Sequence, residues 1–317
     1  MTALRLAPRA AILALTALLA ACGGSVASTP APTITPAPPP PATPVNASLT
    51  APLKSETFNA LTARATGTET PTSIRNATAS LQGTASTISY DAATNTYVFS
   101  NPAASASGAG PDRVAIVAAG PDCYATACTV SGTAIGSFMR RGGDVTNANG
   151  FLYTYVAYAN WHSEAAAGSD HNMTMNMAVF GATTPASGVP VSGTASYKLD
   201  LRGNQMTGPL GTSAGRAILP SFGGNGTASV DFAAATYTMT GDMGGVLSQA
   251  ATTFSSSGKL SAGANGFAGN FSFADSGAFT GALQGWFFGP AAQELGAVFA
   301  ATAPDGRSAV GTIVGHQ

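Results

Sequence analysis

Between Phe279 and Val314 the chain alternates small and large residues, starting FTGALQGWFF. It breaks once at Gly289-Pro290 and alternates again after Glu294. Side chains of an extended strand point to opposite faces in turn, so Phe279, Gly281, Leu283, Gly285 and Phe287 share one face. Leu295, Ala297, Phe299 and Ala301 share one face beyond the break. Two strands joined by a tight Gly-Pro corner, with glycine giving way to bulk on one side, suit a small closed barrel.

Upstream segments extend this pattern. Gly193 to Leu201 alternates apolar with polar, and Thr227 to Phe232 and Ala235 to Gly241 lie two residues apart as a hairpin. Gly266 to Ala274 puts Phe267, Phe271 and Phe273 on one face. With Gly215 to Leu219, a strand near Ala251 to Ser255 and three C-terminal strands, about eight strands are expected. Short turns and two-sided faces point to an antiparallel barrel, with a sandwich of the same strands as the alternative. The first half is less regular. Ile88 to Tyr90 and Thr96 to Phe99 read as a hairpin, Arg113 to Ala119 as a buried strand. Phe151 to Trp161 reads as an aromatic strand with Phe151, Tyr153, Tyr155 and Trp161 on one face. Met173 to Phe180 is expected to pair with it across a loop at Ser163 to Asn172.

The C-terminal stretch resembles the end of the barrel domain in the transferrin-binding protein B family. There the pattern is roughly G-x-F-[YF]-G-P-x-A-x-E-[LM]-G-G. It is matched by Gly285, Phe287, Phe288, Gly289, Pro290, Ala292, Glu294, Leu295 and Gly296, with Ala297 in place of the second glycine and Phe288 where tyrosine is usual. Pro190 to Tyr197 is similar to that barrel's opening strand, P-x-S-G-x-A-x-Y, and Val230-Asp231-Phe232 to a middle strand. Tyr153 to Trp161 resembles a strand of the smaller handle domain that precedes each barrel in the family, with Ala159 in a glycine's place. The resemblance implies an all-β chain, a handle-like β domain followed by an eight-stranded antiparallel β-barrel. It also implies one such lobe, as in shorter surface lipoproteins, where the receptor has two.

The N-terminus carries an address. Arg5 and Arg9 precede an apolar run, Ala10 to Ala20, too short to span a bilayer as a mature helix, and Leu19-Ala20-Ala21-Cys22 reads as a lipobox. Cys22 is the expected lipidation site, and several acyl chains on one residue anchor stably. Gly23 follows rather than an aspartate, which favours the outer membrane. Residues up to Thr50 are rich in Pro, Ala, Thr and Ser, an extended tether reaching on the order of 85 Å. The expected division is 1–21 signal peptide, 22–50 tether, 51–185 handle-like β domain and 186–317 barrel.

Of the 13 basic residues two lie in the signal, which leaves 11 against 14 acidic ones and no basic stripe, so a nucleic-acid partner is not expected. With Cys22 lipidated, Cys123 and Cys128 remain. An exported chain with an even remainder points to a disulfide between them, with reduced or metal-bound thiols as the alternative.

Catalytic constellations are sparse. Gly211 to Gly215 matches G-x-S-x-G around Ser213, but that motif needs a strand-to-helix turn in a parallel sheet. His171, Met173, Met175 and Met177 fall on one face at period two. The first reading is a methionine-filled core face with His171 in the preceding loop; the alternative is a soft ligand set suited to Cu(I) or haem. The strand tyrosines, Tyr153, Tyr155, Tyr158, Tyr197 and Tyr237 among them, fit strand preference as well as Fe(III) phenolate chemistry. Glu294 is expected to accept hydrogen bonds from the backbone of its own Gly-Pro corner, and Asp231 is expected to be structural as well.

The expectation is therefore no enzyme and no resident cofactor. By resemblance, the chain is an outer-membrane, cell-surface lipoprotein that binds an extracellular protein or small solute, with iron- or haem-carrying cargo and an outer-membrane transporter as the implied partners. The alternative is a structural or adhesive envelope lipoprotein without a soluble ligand.

Overall fold

A computed structural model describes residues 44–50, 52–70, 73–101, 112–118, 128–132, 135–139, 153–206, 212–213, 216–217, 221–245, 252–274 and 278–317. Nine strands make a first antiparallel sheet: β1 (Glu56–Glu69), β2 (Ile74–Gly83), β3 (Thr87–Asp91), β4 (Thr96–Asn101), β5 (Asp112–Ala118), β6 (Cys128–Gly132), β7 (Ile135–Met139), β8 (Val156–Ala167) and β9 (Asp170–Gly181). Their order is β6-β5-β4-β3-β1-β9-β8-β7, with β2 also on β1. One edge of β1 pairs with β9 from Ala60 to Glu69. Its other edge is divided, Glu56 to Asn59 on β3 and Thr62 to Glu69 on β2. Register shifts at Thr62/Ala63 and Thr66/Thr68 supply the local twist that a forked strand needs.

The sheet buries both faces. Phe58, Tyr97, Phe99, Trp161 and Phe180 pack together on one side, with the Phe99 and Trp161 rings stacked 5.7 Å apart. Leu61, Ala63, Ala65, Met173, Met175 and Met177 line the other. Accordingly every β9 residue from Met173 to Gly181 is buried.

The expected hairpin around Asp91 to Asn95 is present as β3 and β4. Two expectations change. The loop placed at Ser163 to Asn172 is mostly strand: Ala167 pairs with Asp170, and only Gly168 and Ser169 turn. Gly168 has φ +72°, which lets a two-residue turn replace a longer loop. The aromatic strand begins at Val156, because the chain bends at Thr154 and Tyr155. Tyr153 and Trp161 then enter different cores, so they do not share a face. Phe151 lies outside the described residues.

The second sheet closes on itself. Its strands are β10 (Thr194–Met206), β13 (Ser221–Asp231), β14 (Thr236–Gly245), β15 (Thr252–Leu260), β16 (Phe267–Ala274), β17 (Ala278–Phe288), β18 (Glu294–Thr302) and β19 (Ser308–His316), in that order around an antiparallel ring, with β10 hydrogen-bonded to β19. Between β10 and β13, β11 (Thr212–Ser213) and β12 (Arg216–Ala217) form a separate ladder of two residue pairs. Of the strand expected at Gly215 to Leu219, the described residues Arg216 and Ala217 pair with Ser213 and Thr212 rather than within the ring.

Rings fill the barrel. Phe222, Phe254, Phe267, Phe271, Phe273, Phe279, Phe287 and Phe299 are all buried in one cluster. Phe271 stacks on Phe299 at 3.9 Å, and Phe273 on Phe279 at 4.4 Å. Each buried ring contributes roughly 2–3 kcal/mol relative to exposure. Glycine makes room for them. A Cβ on Gly285 would sit 2.1 Å from the Phe267 ring, which is why small alternates with large on the inward face. From β13 to the start of β17 the outward face is polar. Thr227, Thr240, Ser255, Ser272 and Thr280 stand side by side across five strands. Apolar inside and hydroxyl-bearing outside is the reverse of a membrane-spanning barrel. Among the described residues, no helix is long and apolar enough to cross a membrane.

Truncating Phe271 to Ala should cost about 3–5 kcal/mol of stability, read from urea unfolding, because the rings around it cannot collapse into the void. Ser255→Ala on the outer wall should shift stability by under about 0.5 kcal/mol.

Candidate functional site

The corner between β17 and β18 is held from several directions. Gly289 has φ +82°, and a Cβ there would lie 2.6 Å from the Tyr155 ring, so both conformation and space call for glycine. The segment that leaves β9 is stitched to the corner. The Gly289 N–H donates to the Ala182 carbonyl at 2.9 Å, the Thr184 N–H to the Phe287 carbonyl at 2.9 Å, and the Thr184 hydroxyl to the Gly289 carbonyl at 2.6 Å. Asn265, fully buried, donates to the carbonyls of Thr184 and Phe287 and accepts from the Phe287 N–H. The Tyr197 hydroxyl donates to the Ala292 carbonyl at 2.6 Å.

Glu294 opens β18 and is wholly buried. Its carboxylate does not serve its own corner. It accepts the backbone N–H groups of Thr154 at 2.6 Å, Tyr155 at 2.8 Å and Val156 at 2.8 Å, where β8 begins. This corrects the sequence-based expectation. The physical reason is the bend before β8, which leaves three successive N–H groups without a strand partner and turns them toward one acceptor. Burial pushes the Glu294 carboxyl above its usual range; the three N–H donors and His316, its partner across the strands, pull it part of the way back. Asp231 is likewise structural, accepting from the Ala234 N–H at 2.9 Å.

On the far side of β9 the side chains meet the outer wall of the barrel. Met173, Met175 and Met177 are buried in a layer with Trp286, Phe288, Val298 and Val310. His171 is the second residue of β9, opposite Glu69 and Ala166, at the margin of that layer. The imidazole that reaches the methionines is another one. Register places His162 opposite Met175 and Glu164 opposite Met173. These four, with Asn160 and Asn204, line a cleft of about 280 Å³. His162 Nε2 lies 3.6 Å from Glu164 Oε1.

Residues 189–315 match the family described as the C-lobe and N-lobe beta barrels of Tf-binding protein B. That segment is the closed barrel, which is therefore similar to the Tf-binding protein B barrels. All nine motif positions from Gly285 to Gly296 fall inside this family match. Among solved structures, the chain is similar to a double mutant of Transferrin Binding Protein B from Haemophilus parasuis Hp5 at 13% identity, covering 84% of this chain and 76% of that one with TM-score 0.36. The isotype 1 protein from serogroup B Neisseria meningitidis shows 9% identity, 84% and 77% coverage and TM-score 0.33. A protein described as a surface lipoprotein shows 16% identity, 57% and 81% coverage and TM-score 0.35. No curated protein matches the sequence.

The family motif thus reads as packing. Phe287 and Leu295 fill the barrel, Gly285 admits the Phe267 ring, and Gly296 lies under Val156 and Val179 of the first sheet. Ala292 is buried at φ +59°, and Pro290 is exposed on the corner. The tyrosines inside the barrel are poor phenolate donors, since burial pushes Tyr197 up to about 12 and raises Tyr237 as well. Tyr153 points its hydroxyl at Asp200 and the Val314 carbonyl. Ser213 lies in the antiparallel β11–β12 ladder, opposite Arg216. Cys22 and Cys123, and with them the expected lipid and disulfide, lie outside the described residues; Cys128 begins β6. His162, Asn265 and the donors at Thr154 to Val156 were not singled out from the sequence. A period-two reading carried from Met175 across a two-residue turn would have reached His162.

Replacing Glu294 with Ala should destabilise the protein by about 3 kcal/mol or more, because three buried donors lose a charged acceptor. The pH dependence follows from the raised pKa. The folded form holds this proton more tightly than the unfolded chain, so the contribution is fully present below pH 4.5 and is lost as pH rises through the folded value. Urea midpoints across that range should show this slope in the wild type and not in Glu294→Ala.

Proposed function

We propose that this chain is a non-catalytic lipoprotein of the outer membrane, carried on acylated Cys22 and the 22–50 tether. It binds an extracellular protein through exposed loops and walls of its β structure. The match of residues 189–315 to the Tf-binding protein B barrels carries the reading. The aromatic filling supports it in physical terms. Rings fill the barrel interior, and recognition is assigned to its outside. Transferrin is the first partner to test, as the protein named for that family, and iron supply is the process it would serve. In this reading 51–185 acts as the handle and 186–317 as the barrel, with Cys123 and Cys128 joined as an exported chain favours.

The test is surface plasmon resonance with the immobilised full chain and purified iron-loaded and iron-free transferrin. Saturable binding near one to one with either form supports the proposal. A flat response to both removes transferrin as the partner. In the producing cell, Cys22→Ser should move the protein from the membrane to the soluble fraction, as lost acylation predicts.

A further inference from the structure

The cleft between β8, β9 and β10 combines two features that an ordinary core avoids. Three polar side chains, Asn160, His162 and Glu164, stand on the hairpin face that carries the methionines, and Asn204 meets them from the barrel wall. Beside them stand two thioethers, Met173 and Met175, two residues apart on one strand face. We propose that this cleft is a soft-metal site that takes copper(I), with Met173, Met175 and His162 as ligands.

The geometry supports convergence. His162 and Met175 are direct cross-strand partners, as are Glu164 and Met173, so all four project from the same face of one hairpin. Directly opposed side chains start about 5 Å apart, and methionine has three rotatable bonds with which to bring its sulfur toward a common point. Access is graded. The methionines are 3% and 7% exposed, whereas the side chains of His162 and Glu164 are 29% and 12% exposed. Sulfur therefore forms the floor, with imidazole at the rim.

The chemistry selects the ion. Thioethers are uncharged at any pH and bind hard cations poorly, so calcium and magnesium are disfavoured. Two sulfurs with one imidazole suit copper(I). Glu164 stands beside the ring, its Oε1 3.6 Å from His162 Nε2, in the place from which outer carboxylates orient metal-bound histidines. His171 shares the methionine face two cross-strand pairs beyond Glu164, opposite Ala166 and Glu69, but does not line the cleft and is no ligand in this arrangement.

The experiment uses the full chain in detergent, labelled with [methyl-¹³C]methionine, and silver(I) as a redox-inert stand-in for copper(I). One equivalent should saturate the protein and shift the methyl signals of Met173 and Met175, leaving those of Met206, Met239 and Met243 in place. Copper(I) should then be withdrawn from the bicinchoninate complex. Affinity should fall about tenfold or more in Met175→Leu and His162→Gln and stay unchanged in His171→Ala. Leucine conserves volume, so the Met175 variant keeps the fold, and its melting curve checks this. The proposal is overturned if silver shifts neither methyl. It is equally overturned if bicinchoninate keeps all the copper, or if Met173→Leu/Met175→Leu binds as the wild type does.

Discussion

One buried carboxylate ties this molecule together. Glu294 receives three backbone N–H groups from residues about 140 positions earlier in the chain. A neutral acceptor would meet one or two of those donors, and an apolar residue none. Leaving them bare in a dry layer would cost more than the net value of most single contacts. The bend that starts β8 and the corner that starts β18 therefore depend on each other.

From that tie follows the layer between the sheet and the barrel. With β8 anchored at Val156, its hairpin partner β9 lies along the barrel wall, and Met173 to Val179 meet Trp286, Phe288 and Val298. From Leu283 onward β17 is buried on both faces for this reason, as are β18 and β19, while β13 to β15 keep a polar outer side. The barrel is thus asymmetric by composition. Its covered wall is built of Trp, Phe and Val, its open wall of Thr and Ser.

Much of the barrel was legible because period two is a strong signal when one face is packed with phenylalanine and glycine. Phe279 to Phe287 and Leu295 to Ala301 sit on the inward faces read from alternation. Legibility fails where the chain departs from the period. The bend at Thr154-Tyr155 looks like uninterrupted aromatic strand, since its cause is a carboxylate far along the sequence. Gly168-Ser169 looks like part of a loop because the small residues before it carry little pattern. The partners of Glu294 are not readable from any local window, and His162 is hidden because it belongs to a different strand from the methionines it faces.

Ring closure has a consequence for how the protein is made. The seam joins β10 to β19, pairing Lys198 with His316, so the barrel wall stays open until the strand synthesised after all the others has arrived. The anchor for β8 comes nearly as late, since Glu294 follows β17. Contacts of such long sequence separation form slowly, because the loop entropy is lost before the contact is gained. No closed ring can therefore assemble from the strands that emerge first, and the barrel folds as a unit once its final strand is available.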